Sequence, residues 1–317
     1  MSAVEYVDDT GRRQRATASA FMLAASAIES ARLCLLSPTP SGAVLGNTSG
    51  QLGQNLMFHL QTTVSGFLPE RVHGERGRAV THGISDFRGV APDGEEIRLF
   101  TAAGGKRVAL GGICEFGASQ GLPITEDGDI YAFQLPGPLG ARMGLPLKNA
   151  LRDQALGQHL FGLTMQAEDA PQRTNRVDLD PRYRDVHGFP VSRITYKSHA
   201  YELATRKFYI PIMKQILQQA GAKGFSVSGE TVYAFVRPRE ALLGAAPTSR
   251  HIMGTLRMGA ERTSSVVNPA GLFHDVDNLY ACDGSVFPTA SGYNPTLTII
   301  AVALKIAHGI VRTPPAV

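Results

Sequence analysis

The chain has 317 residues, a mass of 33.9 kDa and a formal net charge of +4, with 43% hydrophobic and 18% charged residues. This composition excludes global disorder and allows a sizeable core, and the length suffices for two domains at about 150 residues each. The cysteines lie far apart in apolar runs, which predicts buried free thiols and argues against a disulfide framework or a zinc site. They are Cys34, Cys114 and Cys282.

Basic residues are scattered, and the densest run, RVHGERGR at 71–78, contains a glutamate and no interleaved aromatics. We expect a solvated loop there rather than an anion or nucleic-acid site. No stretch approaches the roughly 18 uninterrupted apolar residues of a spanning helix, so no transmembrane segment is expected. The N-terminal residues carry acids early and lack an apolar run, which is atypical of a signal peptide and predicts a cytoplasmic location.

The first quarter of the chain predicts a hairpin, a strand and a helix. β-rich segments flank the turn residues DDTG at 8–11, and the apolar run FMLAA at 21–25 is typical of a buried parallel strand. A short helix is expected over 26–37. Ser26 is placed to cap it, with Glu29 completing a capping box.

The middle of the chain has a different pattern. Apolar and polar residues alternate at 177–197, with Pro and Gly at the turns, which predicts a long antiparallel hairpin. An amphipathic helix is expected at 199–219, ended by nearby glycines and kinked at Pro211. The segment TVYAFV at 231–236 predicts a short strand.

The last seventy or so residues return to a buried α/β pattern. NLYACDGSVFP at 278–288 predicts a strand that ends in a polar turn, and 295–311 predicts an apolar helix. Asn294 is a good N-cap and Pro295 suits the first helical position. A helix start of this kind offers unpaired N–H groups and stabilises negative charge on a bound group, although an ordinary buried helix would look the same.

Three segments of the C-terminal part resemble the C-terminal signature of the glucose–methanol–choline (GMC) family of FAD-dependent oxidoreductases. They are HIMGTLRMG at 251–259, NLYACDGSVFP at 278–288 and NPTLTIIAVALK at 294–305. LAASAIESARLCLLS at 23–37 is similar to that family's second signature, and LGNTSGQLGQNLMFH at 45–59 to the loop that follows. QAEDAPQRTNRVDLD at 166–180 and DVHGFPVSRITYK at 185–197 resemble the family's substrate-domain sheet, and this middle part is most similar to sugar and sugar-acid dehydrogenases.

The resemblance implies an α/β and α+β fold: an incomplete Rossmann-like FAD-binding domain with an inserted antiparallel-sheet substrate domain. Both ends of the chain, 1–50 and 241–317, would form the partial FAD-binding domain. Residues 51–240 would form the substrate-binding domain. The residue pattern supports this division independently, since both ends of the chain have the pattern of a buried α/β domain and the middle has the pattern of antiparallel strands.

The resemblance also implies roles for individual residues. His251 falls on the catalytic base, and Asn294 on its partner position beside the flavin ring. The implied reaction oxidises a CH–OH group of a sugar, polyol or alcohol by hydride transfer to flavin N5. Histidine suits this task because its pKa of about 6.5 is close to working pH. The cofactor-binding positions implied are Asp283, Gly284, Asn294, Pro295 and Thr296.

The sequence departs from the family in one important respect. No GxGxxG turn is present, and the nearest runs, at 46–53 and 111–117, have the wrong glycine spacing. Ser26 also stands where the family usually has glycine. We therefore expect marginal stability, little FAD affinity and no activity from this chain alone, and a requirement for an N-terminal half. An electron-acceptor subunit is a further expected partner.

Three explanations for the missing motif stay open: a truncated gene or fragment, a split enzyme, or a remnant without a redox role. The fragment and split explanations are favoured. The alternative function is that of a cofactor-less remnant or a non-catalytic binding protein. A hydrolase that uses serine and histidine is disfavoured because no GxSxG is present and the DGS at 283–285 lacks the required glycine.

Overall fold

A computed structural model describes residues 1–73, 80–90, 93–102, 105–108, 111–118, 144–145, 159–228, 249 and 251–312. The chain divides into two compact units. The first unit contains both ends of the chain and a middle segment: Met1–Phe58, Asp169–Lys197 and Ser249–Val317. The second unit contains His59–Glu168 and Ser198–Thr248.

Helices and strands are mixed along the chain, as the sequence predicts. In chain order they are β1 (Val4–Val7), β2 (Arg13–Ala16), β3 (Phe21–Leu23), α1 (Ser26–Leu35), β4 (Leu60–Phe67), β5 (Val80–Ile84), β6 (Arg98–Ala102), β7 (Gly105–Val108), β8 (Gly112–Ala118), β9 (Leu160–Ala167), β10 (Arg176–Arg184), β11 (Pro190–Thr195), α2 (Ala200–Gln219), β12 (Lys223–Ser228), β13 (Leu279–Ala281) and α3 (Thr296–Arg312). A 3-10 turn, Gly284–Val286, follows β13.

The first unit opens with the expected hairpin, since β1 and β2 pair antiparallel. Asp8 organises the turn by accepting hydrogen bonds from the backbone N–H groups of Thr10 and Arg12, each at 2.9 Å. Hydrogen bonds from the Thr10 hydroxyl and the Gln14 amide lower the pKa of Asp8 to about 2. The prediction of a hairpin closed by turn residues is confirmed.

Two parallel strands form the centre of the first unit. β3 and β13 align Phe21 with Leu279. α1 adds Cys34 to the apolar cluster that contains Phe21 and Leu279, and α3 adds Ile306 to a cluster that contains Tyr280. Because neighbouring residues of a strand face opposite sides, the two helices cover opposite faces of the pair. The predicted parallel strand and the helix that follows it are confirmed.

The start of α1 differs from the prediction. The N-cap residue is Ala25, and no side chain makes a capping hydrogen bond. Ser26 has a φ of +71°, in the left-handed region, which costs energy for a residue with a Cβ. That conformation turns Ser26 away from the capping geometry. The predicted capping box between Ser26 and Glu29 is therefore wrong.

The hairpin predicted at 177–197 is present, because β10 and β11 pair antiparallel. It belongs to the first unit, whereas the sequence boundaries assign it to the inserted segment 51–240. Arg32 of α1 anchors it: the guanidinium donates to Asp185 Oδ2 at 2.6 Å and to the Pro190 carbonyl at 2.8 Å. These contacts join residues that are distant in the chain, so local composition gives no sign of them.

The second unit is built on a five-stranded sheet with the order β12-β4-β9-β8-β5, all of whose pairs are antiparallel. β6 and β7 form a separate antiparallel pair. α2 packs against the five-stranded sheet, and its Met213 and Leu217 share one buried cluster with Val64, Leu163 and Met165. The expectation of an antiparallel sheet in the inserted segment agrees with this arrangement.

The amphipathic helix predicted at 199–219 is confirmed as α2. Glu202 accepts a hydrogen bond from the His199 N–H at 2.7 Å, which satisfies one backbone donor at the helix start. The helix continues through Pro211, where a kink is predicted. Gly221, with a φ of +85°, follows the helix end as expected. The strand predicted at 231–236 lies outside the described residues.

All three cysteines are buried and free, as predicted. Burial raises the pKa of Cys34 and of Cys114 to about 12 each, so both side chains are neutral thiols near neutral pH. Among the described residues, no helix is both long and apolar enough to cross a bilayer. The same part of the chain contains no group of three or more His, Cys, Asp or Glu side chains that could hold a metal ion.

Candidate active site

Four segments of the first unit surround an open cavity of about 320 Å³. They are the turn between β3 and α1, the loop at 251–252, the turn after β13, and the first turn of α3. The lining residues are Ala24, Ser26, Ala27, His251, Ile252, Asp283, Gly284, Pro295, Thr296 and Ile299.

Backbone hydrogen bonds fix the loop that presents His251. Met253 and Met57 exchange two N–H···O bonds of 3.0 Å each. The next residue, Gly254, donates to the Gly284 carbonyl at 3.2 Å. It has a φ of +99°, and a Cβ there would lie 2.0 Å from the Asn55 carbonyl oxygen, so only glycine fits. His251 therefore stands two residues before a rigid attachment point.

The turn after β13 brings a carboxylate and bare backbone to the cavity. Asp283 Oδ1 accepts the Ser285 N–H at 2.8 Å, which caps the 3-10 turn. Asp283 Oδ2 accepts the Ser30 hydroxyl at 2.5 Å. A Cβ on Gly284 would lie 2.6 Å from the Ile252 carbonyl oxygen, so this position also requires glycine. The Asp-Gly pair of the sequence motif thus has a steric basis.

The turn between β3 and α1 is held by two buried hydroxyl groups. Ser30 Oγ accepts the Ala25 N–H at 3.1 Å while it donates to Asp283. Thr255 Oγ1 donates to the Ala27 carbonyl at 2.5 Å. These bonds tie the start of α1 to the turn after β13 and to the loop that carries His251.

α3 begins at the cavity, one residue later than the sequence predicts. Its first residue is Thr296, and the Pro295 carbonyl accepts the Ile299 N–H at 2.8 Å. Assigned helix ends vary by a residue or two, so the Asn-Pro start signal placed the helix correctly. Pro295 and Thr296 both line the cavity. Asn294 is exposed and does not belong to the lining of this cavity.

Two helix N-termini lie at the site. α1 and α3 both begin at residues of the lining, Ser26 and Thr296. Their unpaired N–H groups favour an anionic or electron-rich group. Among the described residues that line the cavity there is no Lys or Arg, and Asp283 is the sole carboxylate. Each of its oxygens keeps acceptor capacity for a hydroxyl of a bound molecule.

Two residues that hold the site together were not identified from the sequence alone. Ser30 and Thr255 make the hydrogen bonds that join three of the four segments. One signal for Ser30 was available, because it lies on the helical stripe of small and apolar residues that α1 buries. The buried residues of α1 are Ala27, Ser30, Ala31 and Cys34.

Comparison with known proteins gives three matches that agree with one another. The family model described as GMC oxidoreductase matches residues 171–303. A 2-methyl-1,2-propanediol dehydrogenase of Mycolicibacterium austroafricanum is 30% identical over 97% of this chain and 50% of its own length. A gluconate 2-dehydrogenase flavoprotein of Pantoea cypripedii is 25% identical over 98% of this chain and 47% of its own.

A solved structure of a formate oxidase variant from Aspergillus oryzae RIB40 superposes with a TM-score of 0.60. It is 17% identical, and the match covers 99% of this chain and 57% of that one, which supports the fold alone. The chain spans about half the length of the curated relatives that it matches. The family match and these relatives show that the chain belongs to the GMC oxidoreductases and corresponds to their C-terminal region.

Proposed function

We propose that this chain is the C-terminal portion of an FAD-dependent enzyme that oxidises the CH–OH group of a sugar, polyol or alcohol. The observation that carries the proposal is the cavity of the first unit, where His251, the turn at Asp283 and Gly284, and the start of α3 lie together. A histidine, a glycine turn and a helix N-terminus from three segments of the C-terminal part line this one cavity.

The residues present fit one side of a flavin dinucleotide. Gly284 lines the cavity without a side chain, and the starts of α1 and α3 stabilise negative charge. Asp283 accepts hydrogen bonds from hydroxyl groups such as those of a ribityl chain. We assign the holding of FAD to Asp283, Gly284, Pro295 and Thr296, with Asn294 beside them. Bound FAD supplies the acceptor for the hydride that leaves the substrate carbon.

His251 takes the proton of the substrate hydroxyl in this proposal. A neutral imidazole is suited to the step because its usual pKa of about 6.5 leaves it able to accept a proton at neutral pH. The backbone hydrogen bonds of Met253 and Gly254 hold the loop that follows His251 in place. Proton removal by a positioned base contributes about 100-fold to 10,000-fold to a rate.

Asn294 is proposed as the second group that faces the substrate oxygen. Its amide can donate to that oxygen or accept from its hydroxyl, and it does so without changing charge over the working pH range. Its exposure on the first unit leaves the side chain accessible.

The substrate class rests on the matched relatives. One is a dehydrogenase of a small diol and another acts on gluconate, by their names. We extend a polyhydroxy substrate of this kind to the present chain. Activity requires an N-terminal nucleotide-binding segment, either in the same polypeptide or as a separate subunit. An electron-acceptor subunit is a further proposed partner.

The test is a fusion of this chain to the N-terminal half of the Mycolicibacterium austroafricanum 2-methyl-1,2-propanediol dehydrogenase, the half that it does not match. We expect flavin absorbance in the purified fusion and reduction of an artificial dye with 2-methyl-1,2-propanediol or gluconate. His251→Ala should lower kcat by about 100-fold or more with the flavin retained. His187→Ala, at an exposed position in the turn between β10 and β11, is the matched control and should change kcat little.

A yellow fusion whose kcat is the same with His251→Ala would remove the histidine from the mechanism. A folded, colourless fusion would overturn the enzyme proposal. It would favour the alternative, a non-catalytic binding protein, for which the missing GxGxxG turn is the specific sequence observation.

A further inference from the structure

α3 exposes a continuous apolar stripe on the side opposite its core contact. Ile306 is buried against the centre of the first unit, whereas the stripe residues are 50–82% exposed. Spacings of three, four and seven residues place them on one helical face. The stripe consists of Leu297, Ile300, Leu304 and Val311. A helix that is apolar on both sides is typical of burial between two layers.

The parallel pair has one open edge, at β3. Phe21 donates its N–H to the Asn278 carbonyl, and the Leu23 carbonyl accepts the Cys282 N–H, so both of these β3 residues face β13. The backbone groups of Met22, between them, point to the other side by strand alternation. In the described part of the chain no strand pairs with that edge. Met22 itself is half exposed on the face that α3 covers.

The other edge of the pair is already occupied. On the far side of β13, Phe273 donates to the Leu279 carbonyl at 2.9 Å and Ala281 donates to the Gly271 carbonyl at 2.9 Å. Growth of the parallel sheet can therefore proceed only at β3. A two-stranded parallel sheet is itself unusual, because parallel sheets are stable when they are larger and covered on both faces.

We infer that the β3 edge and the α3 stripe together form the docking surface for a strand and a helix of the N-terminal nucleotide-binding segment. An added strand would pair with the backbone of Met22, and apolar side chains of the segment would cover Leu304 and Val311. The inference rests on the proposed function. It commits to this occupant because the chain spans about half of its relatives' length, and because an open parallel edge beside an apolar helix fits an α/β segment.

The experiment measures assembly rather than activity. The full chain is co-expressed with the N-terminal half of the Mycolicibacterium austroafricanum 2-methyl-1,2-propanediol dehydrogenase as a separate tagged polypeptide. Co-purification and a binding titration are compared for three chains: wild type, Leu304→Lys combined with Val311→Lys, and Val186→Lys. Val186 is 95% exposed in the β10–β11 turn and is the matched control.

We expect the wild-type chain and Val186→Lys to assemble equally, and the double stripe variant to bind about tenfold more weakly or worse. Met22→Pro is the second variant. It removes a donor that β13 does not use, so it should leave the isolated chain folded by circular dichroism and weaken assembly. If Met22→Pro unfolds the chain, the stripe variant decides the question.

Several results would overturn the docking surface: no assembly of the wild-type chain, equal assembly of the stripe variant, or loss of assembly with Val186→Lys. A wild-type homodimer that the stripe variant abolishes, together with unchanged binding of the N-terminal half, would assign the stripe to a second copy. A failure of the proposed function is distinguishable, since it would appear as a complex that assembles through this surface and is colourless.

Discussion

The buried hydrogen bond between Ser30 and Asp283 offers a direct test of how the cavity is held together. Ser30 is fully buried on α1, and its hydroxyl donates to Asp283 Oδ2 at 2.5 Å. The Ser30 hydroxyl oxygen also accepts the Ala25 N–H at 3.1 Å. Ser30→Ala removes both bonds with little change in volume, so we expect a less stable chain and a looser turn at Ala25.

The magnitude follows from the kind of bond that is lost. A hydrogen bond to a charged group contributes about 1.5–3 kcal/mol, and the partly buried N–H of Ala25 adds about 1 kcal/mol when it is left without an acceptor. The higher helix propensity of alanine offsets about 0.5 kcal/mol of this loss. We therefore expect the free energy of unfolding to fall by about 2–3.5 kcal/mol.

Urea unfolding followed by circular dichroism measures this change. Ser37→Ala is the matched control, because the Ser37 hydroxyl is exposed and donates to the Leu33 carbonyl at the end of the same helix. The control should cost less than about 0.5 kcal/mol. A loss with Ser30→Ala that is no larger than the loss with the control would refute the reasoning, since the two bonds would then be equivalent.

Three further predictions follow from the conformation and ionisation of single residues. Ser26→Gly should raise the free energy of unfolding by about 0.5–1 kcal/mol, because glycine adopts the φ of +71° without a Cβ penalty; destabilisation in urea would contradict this. Cys34 and Cys114, with pKa values of about 12, should resist iodoacetamide in the native chain and react once it is denatured; rapid labelling of the native chain would show that they are not buried. The Arg193 hydrogen bond lowers the pKa of Asp178, so this pair stabilises the chain above the unfolded pKa of about 3.9 and loses the contribution as pH falls through the lower native value. Arg193→Gln should make the free energy of unfolding depend less on pH in that window. An unchanged pH dependence would mean that solvent and salt screen the pair so fully that it contributes no stability.

Much of the first unit could be predicted from sequence because its signals are local. Turn residues at 8–11 and the Asn-Pro pair at 294–295 mark a hairpin and a helix start, and both elements are present at those places. The buried strand at 279–281, followed by a polar turn at Asp283, was predicted from the same kind of local signal. Apolar runs bounded by turn residues depend little on distant contacts, which is why such predictions succeed.

The failures have a different origin. Ser26 was predicted as a helix cap from its residue type, but its backbone adopts a left-handed conformation that residue type does not reveal. The contact of the β10–β11 hairpin with α1 was not predicted, because it depends on Arg32, which reaches Asp185 across 153 positions of sequence. The role of Ser30 depends in the same way on Asp283. Contacts between residues so far apart in the sequence produce no local pattern from which they could be predicted.

The span of the Ser30–Asp283 contact also has a consequence for biosynthesis. The two residues are 253 positions apart, so the entropy of closing that loop opposes the contact by about 5 kcal/mol. At about 5–20 residues per second, the ribosome needs roughly 10–50 s to reach Asp283 after it has made Ser30. During that interval β3 and α1 wait without their strand and hydroxyl partners, while the second unit can already fold. The cavity thus cannot close before Asp283 has been synthesised, and during that interval the edges of β3 are open to pairing with a wrong strand.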